Sequence, residues 1–402
     1  MTGPTAVPTT PEVARVISRL SEERTASILA DLVRTPSQNP IDGEAGVARY
    51  VAVFLDRLGM TVTTQESLPG RSNVVGLLQG AGGGQVLAFN THMDTVPQGN
   101  GWTQQPFGAA IVDGRLYGRG SVDAKGPLAA FLAAIEALIG SGVRLRGDLL
   151  MTAVVDEEAS SQGARRLAGS IEADIAVIGE PTSMQVGIAH RGSLRPVIVV
   201  TGRTAHSSRP EQGINAIYQS IPVIEAVRDY AVTLAGRRSH PLCGAPSAAI
   251  TRMTAGIADN VIPGRCEMTL DRRMIPGERE ADVLGEIDAL LGAIRRARPD
   301  VTVAVDRLIA TTGGPAELDA AHPLIALALA ASSSATERDA AVIGLSGACD
   351  MTHFMAHGIP CVVLGPGDSA QAHQPDEHID LHELNQGAAA YSVLAMVVCG
   401  CA

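Results

Sequence analysis

Two histidines and a set of carboxylates recur where short apolar runs end. His92 and Asp94 follow Val86 to Asn90; Asp156, Glu157 and Glu158 follow Leu149 to Val155; Glu180 follows Ile175 to Gly179. Asp123 lies in the loop Gly118-Arg-Gly-Ser-Val-Asp-Ala-Lys-Gly126, just ahead of Pro127 in a first helical turn, and His373 lies in Gly365-Pro-Gly-Asp-Ser-Ala-Gln-Ala-His-Gln-Pro375. In open α/β sheets ligands bind outside the carboxyl ends of the strands, so residues at several such ends converge in space. Two imidazoles and four or more carboxylates gathered there repel one another unless cations neutralise them. Imidazole with carboxylate suits a borderline divalent ion such as zinc. A pair of ions roughly 3.5 to 4 Å apart then needs a carboxylate that bridges them. Three carboxylate ligands, a bridging hydroxide and two divalent ions sum to zero charge. Singly, a His-x-Asp pair, adjacent acids and a Gly-Pro-Gly loop are a surface pair, a helix start and a turn. Their joint occurrence is what points to metal chemistry.

Positioning these residues requires alternating strands and helices. The periodicity predicts two helices in the first sixty residues, one running from Val13, Val16, Ile17 and Leu20 on to Ile28, Leu29 and Leu32, the other carrying Val47, Val51, Phe54 and Leu55. Asn73 to Leu78, Val86 to Asn90, Leu149 to Val155 and Ile175 to Gly179 read as buried strands, with helices at Pro127 to Leu138 and Gln162 to Ala168. From about Ser183 the pattern changes to strand (Leu194 to Thr201), helix (Ile214 to Val232), strand (Ala248 to Thr254), strand (Cys266 to Arg273) and helix (Glu280 to Ala297), a βαββα order suited to a two-layer domain. Past residue 300 the first style returns, with a helix at Pro323 to Ala331, strands at Ala341 to Leu345 and Pro360 to Leu364, and a closing helix near Leu384 to Val398. The expected fold is α/β with a mostly parallel central sheet over 1–182 and 299–402, interrupted by an inserted α+β domain over 183–298.

Composition narrows the function classes. The 402 residues are 46% apolar, ample for a core, and the net charge is -11 with no basic block to track a nucleic acid. No stretch approaches about 18 uninterrupted apolar residues, and the opening MTGPTAVPTTPEV has no leader pattern. Six irregularly spaced cysteines (Cys243, Cys266, Cys349, Cys361, Cys399, Cys401) read as reduced thiols. The expectation is a cytoplasmic protein with no membrane or nucleic-acid partner. His190, His240, His322, His353, His357, His378 and His382 read as structural or surface residues.

The segments Asn90-Thr-His-Met-Asp-Thr-Val-Pro97, Gly118 to Gly126, Val155-Asp-Glu-Glu158, Gly179-Glu-Pro-Thr182 and the His373 loop, in this order over nearly the whole chain, resemble the co-catalytic metallopeptidase family. That family includes acetylornithine deacetylase, succinyl-diaminopimelate desuccinylase, aminoacylase and glutamate carboxypeptidase. The resemblance implies that His92 and Glu180 bind one ion, that Glu158 and His373 bind the other, and that Asp123 bridges. The ions would be zinc, with cobalt or manganese as alternatives. It further implies that Asp94 orients His92 through the far ring nitrogen. Glu157 would be the general base, taking a proton from the bridging water and returning it to the leaving amine.

The inserted segment resembles the same family at Gly202-Arg-Thr-Ala-His-Ser-Ser-Arg-Pro210, Gly213-Ile-Asn-Ala-Ile217 and Asn260 to Arg273. By resemblance it is a lid and dimerisation domain, with His206 reaching a partner subunit's active site to stabilise the oxyanion. Asn260 and Arg273 would contact substrate, Arg273 gripping a carboxylate, with Arg272 the alternative in register. Arg273 also has a plainer meaning as half of an ion pair. Gly344-Leu-Ser-Gly-Ala-Cys-Asp350 departs from the family's Gly-Gly-Thr-Asp type at a loop facing substrate. The implied activity is removal of an acyl group from an N-acyl amino acid or similar small amine. The alternatives are a carboxypeptidase or dipeptidase on the same scaffold, and a non-catalytic metal-binding dimer.

Overall fold

The computed structural model of the chain describes residues 10–402, and residues 1–9, the start of the segment read as leaderless, lie outside the described residues. The chain forms two compact units, Met1–Ile188 with Leu318–Gly344 and Cys349–Ala402, and Ala189–Glu317 with Leu345–Ala348. Among the described residues no helix is long and apolar enough to cross a membrane.

The first unit is built on a mixed sheet whose centre is parallel. Leu149–Val154, Leu87–His92, Ile175–Ile178 and Cys361–Val363 pair in that order, all parallel. Every residue of these four strands is buried, as expected of parallel strands covered on both faces. Arg71–Leu78 and Thr61–Leu68 extend one side in antiparallel fashion. The helices Lys125–Gly140, Leu381–Cys399 and Pro323–Thr336 pack together and against the sheet. With so few aromatics in the chain, three of them are pooled: the Phe131 ring lies 4.5 Å from Phe89 and 4.0 Å from Tyr391, whose hydroxyl donates to the Leu364 carbonyl at 2.7 Å.

The amino-terminal region departs from expectation. Three helices form, Pro11–Ile17, Glu22–Val33 and Ala45–Arg57, because Ser21 adopts extended backbone and caps the second by accepting from the Arg24 amide at 3.2 Å.

The second unit is a four-stranded antiparallel sheet in the order Ser247–Ala255, Arg265–Met274, Gly192–Thr201, Thr302–Ile309, with Ala216–Arg237 and Glu280–Ala297 packed on it. Its two-layer character shows in one buried cluster between sheet and helices, to which Ile198, Val200, Met268 and Leu270 contribute from the strands and Val223 and Ile287 from the helices. The expected end of this unit at residue 298 is too early. Thr302–Ile309 pairs with Gly192–Thr201 at Val303 with Val200, so the unit runs to Glu317. Only Val303 of that strand is buried, which leaves no apolar run to announce it. The start at 183 is likewise displaced, because Val186–His190 pairs with Cys361–Val363 of the larger sheet.

Candidate metal centre

Parallel strands that end together deliver the site. His92 closes Leu87–His92, and its register partner Val154 closes Leu149–Val154. Beyond Val154 the chain turns at Asp156 (φ 70°), and past Ile178 it reaches Glu180. Asp123 arrives at the start of Lys125–Gly140, and His373 follows the short helix Ser369–Gln371.

Two groups of donors result. His92, Asp123 and Glu180 offer ligand atoms within 4.8 Å of one another, and so do Asp123, Glu158 and His373. Asp123 belongs to both: Oδ1 lies 3.1 Å from His92 Nε2 and Oδ2 lies 3.2 Å from His373 Nε2. His92 Nε2 is 3.8 Å from Glu180, and His373 Nε2 is 3.1 Å from Glu158. The far nitrogen of His92, Nδ1, meets the Asp94 main-chain carbonyl at 2.9 Å, with the Asp94 carboxylate at 3.5 Å. That carboxylate accepts from the amides of Glu157 at 3.1 Å and Glu158 at 3.2 Å and from Asn39 Nδ2 at 3.0 Å. Asp94 therefore ties the His92 strand end to the turn carrying both glutamates.

The electrostatics follow from burial and crowding. Burial, reinforced by neighbouring carboxylates, pushes Glu157 and Glu180 well above the ordinary carboxylate range and raises Glu158. Burial opposes protonation of His92, yet its bonds to Asp123 and Asp94 outweigh this and raise it. Hydrogen bonds to Asp123 and Glu158 lift His373 to about 10. Asp123 is held low by its two histidines against the effect of burial. Imidazoles that hold protons beside acids pushed to take them up form a pocket stabilised by added positive charge. Two imidazoles and three carboxylates in two overlapping triads thus fit a pair of divalent ions.

Several residues that hold the site in place were not foreseen. Asn39 donates to Asp94 and, at 3.0 Å, to Asp156, joining two buried carboxylates. Arg71 pairs with buried Glu44 and reaches Asp156 at 3.2 Å. Asp350, in the loop that departs from the family pattern, is buried and accepts from Asn90 Nδ2 at 3.0 Å; burial pushes it up to about 6. Lys125 is buried with Nζ donating to the carbonyls of Leu32 and Thr35, and burial lowers it to about 7. Arg119 and Glu377 form a buried pair at 2.5 Å. A signal for Arg119 and Glu377 was present, since each lies close to a site residue in sequence; Asn39 has no such context.

The second unit carries the other candidates. His206 and Asn260 are neighbours there: Ala205–His206 pairs with Val261–Ile262, and the Asn260 carbonyl accepts from the Ser207 amide at 2.9 Å. Both are exposed. Alternation along Arg265–Met274 separates the two arginines. Arg272 is fully buried, pairing with Glu278 at 2.5 Å and donating to the Tyr230 hydroxyl at 3.2 Å, whereas Arg273 is half-exposed on the opposite face and pairs with Asp271 at 2.8 Å. Arg272→Ala is expected to destabilise the protein by about 3 kcal/mol or more, because a buried pair loses one partner. Arg273→Ala is expected to cost about 1 kcal/mol or less. Thermal unfolding of the two variants checks this.

The donor geometry, taken with the family and relatives given next, makes the chain a metal-dependent hydrolase of amide bonds. The chain belongs to peptidase family M20/M25/M40, whose family model matches residues 88–397. It is 33% identical over 365 residues to an acetylornithine deacetylase from Proteus mirabilis, a match covering 87% of this chain and 90% of that protein. Its fold resembles that of an M20 family metallo-carboxypeptidase from Sulfolobus solfataricus (TM-score 0.77, 18% identity, 93% of this chain and 99% of that one). It also resembles a Bacillus subtilis protein described as a dinuclear metal binding peptidase of the M20 family (TM-score 0.70, 17% identity, 94% of this chain and 98% of that one).

Proposed function

We propose that this chain is a deacylase of N-acyl amino acids or similar small N-acylated amines. The observation that carries this reading is the near full-length similarity to acetylornithine deacetylase. His92 and Glu180 would hold one divalent ion, Glu158 and His373 a second, and Asp123 both, the donor set suiting zinc, with cobalt or manganese as substitutes. Ions held there supply Lewis acidity, polarising a carbonyl and making a nearby water more acidic.

Glu157 is the general base. It sits beside ligand Glu158, and its carboxyl, buried and pushed up, is suited to accept a proton from the attacking water and return it to the leaving nitrogen. Asp94 orients His92 and, through the two amides it accepts from, the Glu157 turn. Asn260 and Arg273 contact the substrate, Arg273 taking its carboxylate. This part of the reading is supported by the commitment of Arg272 to Glu278. Arg273→Ala is then expected to raise KM more than it lowers kcat.

The experiment on the reaction itself is turnover of N-acetyl and N-succinyl amino acids against dipeptides by zinc-loaded protein. Preference for dipeptides would replace the deacylase reading with the peptidase one, and turnover of neither class would favour a non-catalytic metal-binding dimer.

A homodimer through the second unit is part of the proposal. Ile217, Tyr218, Ile221 and Ile224 are exposed along one helix, and Met253 and Ile257 are exposed at the end of the edge strand Ser247–Ala255, an apolar surface that a second copy would cover. His206 completes the partner's site. Its Nδ1 accepts from the Ser208 amide at 3.1 Å, which leaves the ring proton on Nε2, the form that donates to an oxyanion. The check mixes two inactive proteins, Glu157→Gln and His206→Ala. In each mixed dimer the site on the His206→Ala chain has its own Glu157 and a borrowed His206. Random reassociation of equal amounts makes half the dimers mixed, so about a quarter of wild-type activity should return, given an oxyanion donor worth about 10² to 10³ in rate. Mixed dimers without recovery would mean that His206 does not act in trans. A cytoplasmic setting completes the reading, and it would keep the six free thiols reduced.

A further inference from the structure

We propose that Glu377 is a positioning residue that couples the loop of Asp123 to the loop of His373, so that one of the two metal positions depends on it far more than the other.

This inference rests on the two-ion reading above and concerns a residue outside both donor triads. The Glu377 side chain is 1% exposed. Its Oε1 accepts from the amides of Val122 at 2.8 Å and Asp123 at 3.1 Å, and its Oε2 accepts from the Gly120 amide at 3.1 Å and from Arg119 Nη1 at 2.5 Å. Its main-chain carbonyl accepts from the Gly118 amide at 2.8 Å. One residue thus holds the whole Gly118 to Asp123 loop, the Asp123 amide included. Arg119 is fixed in turn, since Nη2 donates to the Gln98 carbonyl at 3.1 Å and the guanidinium lies 5.2 Å from the Trp102 ring centroid.

Glu377 also lies four residues after His373, on a segment anchored at several points. The neighbouring Asp376 accepts from the amides of Thr103 and Gln104 and from the Thr103 hydroxyl, and His378–Asp380 pairs with Arg115–Tyr117. Between those anchors the Glu377 carboxylate is what joins the His373 segment to the Asp123 amide. The triad Asp123, Glu158 and His373 takes Asp123 from the loop that Glu377 holds and His373 from the segment on which Glu377 itself lies. The triad His92, Asp123 and Glu180 relies on it through Asp123 alone, while His92 is held separately by its strand and by Asp94.

Glu377→Gln keeps the shape but replaces one acceptor oxygen by an amide group that faces the loop's own N–H donors, so two of the four side-chain contacts cannot be made. Outer partners of metal ligands are typically worth about 10 to 100-fold in metal affinity. The expected result is a loss of that size at the Asp123, Glu158 and His373 position, with the other position changed several-fold less.

The experiment titrates cobalt(II) into metal-free wild type and Glu377→Gln in the presence of a competing chromogenic chelator, reading stoichiometry, the two dissociation constants and the visible cobalt bands. His373→Ala and Glu180→Gln serve as references for the loss of each position. In Glu377→Gln the band that weakens should be the one lost in His373→Ala. Glu377→Asp, which keeps the charge beside Arg119 but withdraws the carboxylate by one methylene, should show the same order of sensitivity in smaller measure, and it serves alone if the Gln variant does not fold. Equal weakening of both positions, or no change at either, overturns the proposal. Wild-type protein that binds fewer than two ions overturns instead the two-ion reading on which it rests.

Discussion

Asp123→Ala is expected to lower bound metal from two ions per chain to one or none and to reduce hydrolysis to background. Each of its carboxylate oxygens lies near a different histidine, His92 at 3.1 Å and His373 at 3.2 Å, so it is the one side chain common to both donor groups. Removing it leaves each group with a single imidazole and a single carboxylate, too few to hold a divalent ion tightly. It also removes the negative charge lying between two imidazoles that it helps keep protonated in the metal-free protein. Metal analysis after dialysis checks the stoichiometry. Two tightly held ions in the variant would show that Asp123 does not bridge.

Glu157→Gln and Glu158→Gln are expected to fail in different ways although the residues are adjacent. Glu158 is a member of the donor triad with Asp123 and His373, 3.1 Å from the His373 ring, and its loss should weaken one metal. Glu157 belongs to neither triad, while its backbone amide is held by Asp94. Its amide variant should keep both ions and lose the proton transfer, a deficit of about 10² to 10⁴-fold in kcat. Metal content measured beside kcat separates the two. Should the phenotypes be exchanged, the assignment of base and ligand within the pair is reversed.

The residues that converge at the candidate centre were legible because each stands at a discontinuity. His92, Glu157, Glu158 and Glu180 follow apolar runs that are buried on both faces, and a buried run ending in an ionisable residue is conspicuous. Asp123 and His373 sit in glycine-containing loops beside such elements. Which distant residues bond to one another was illegible for an equally physical reason. Arg119 and Glu377 are 258 positions apart, and Asn39 and Asp156 are 117 apart, so neither bond leaves a local periodic trace. The break between Pro11–Ile17 and Glu22–Val33 depended on one capping serine within a continuous apolar periodicity.

By itself the sequence determined the alternation of elements, the parallel centre of the larger sheet and the residue types brought to its edge, because burial periodicity and strand-end chemistry are local properties. Tertiary structure decided what depends on a distant partner. It drew the second unit on to Glu317, since a strand with one buried residue is recognised only by the neighbour it pairs with. It separated Arg272 from Arg273, since which of two adjacent residues faces a core depends on the helix packed there and on Glu278. It also joined the Asp123 and His373 loops through Glu377, since four hydrogen bonds to one buried carboxylate exist only once the chain has closed around it.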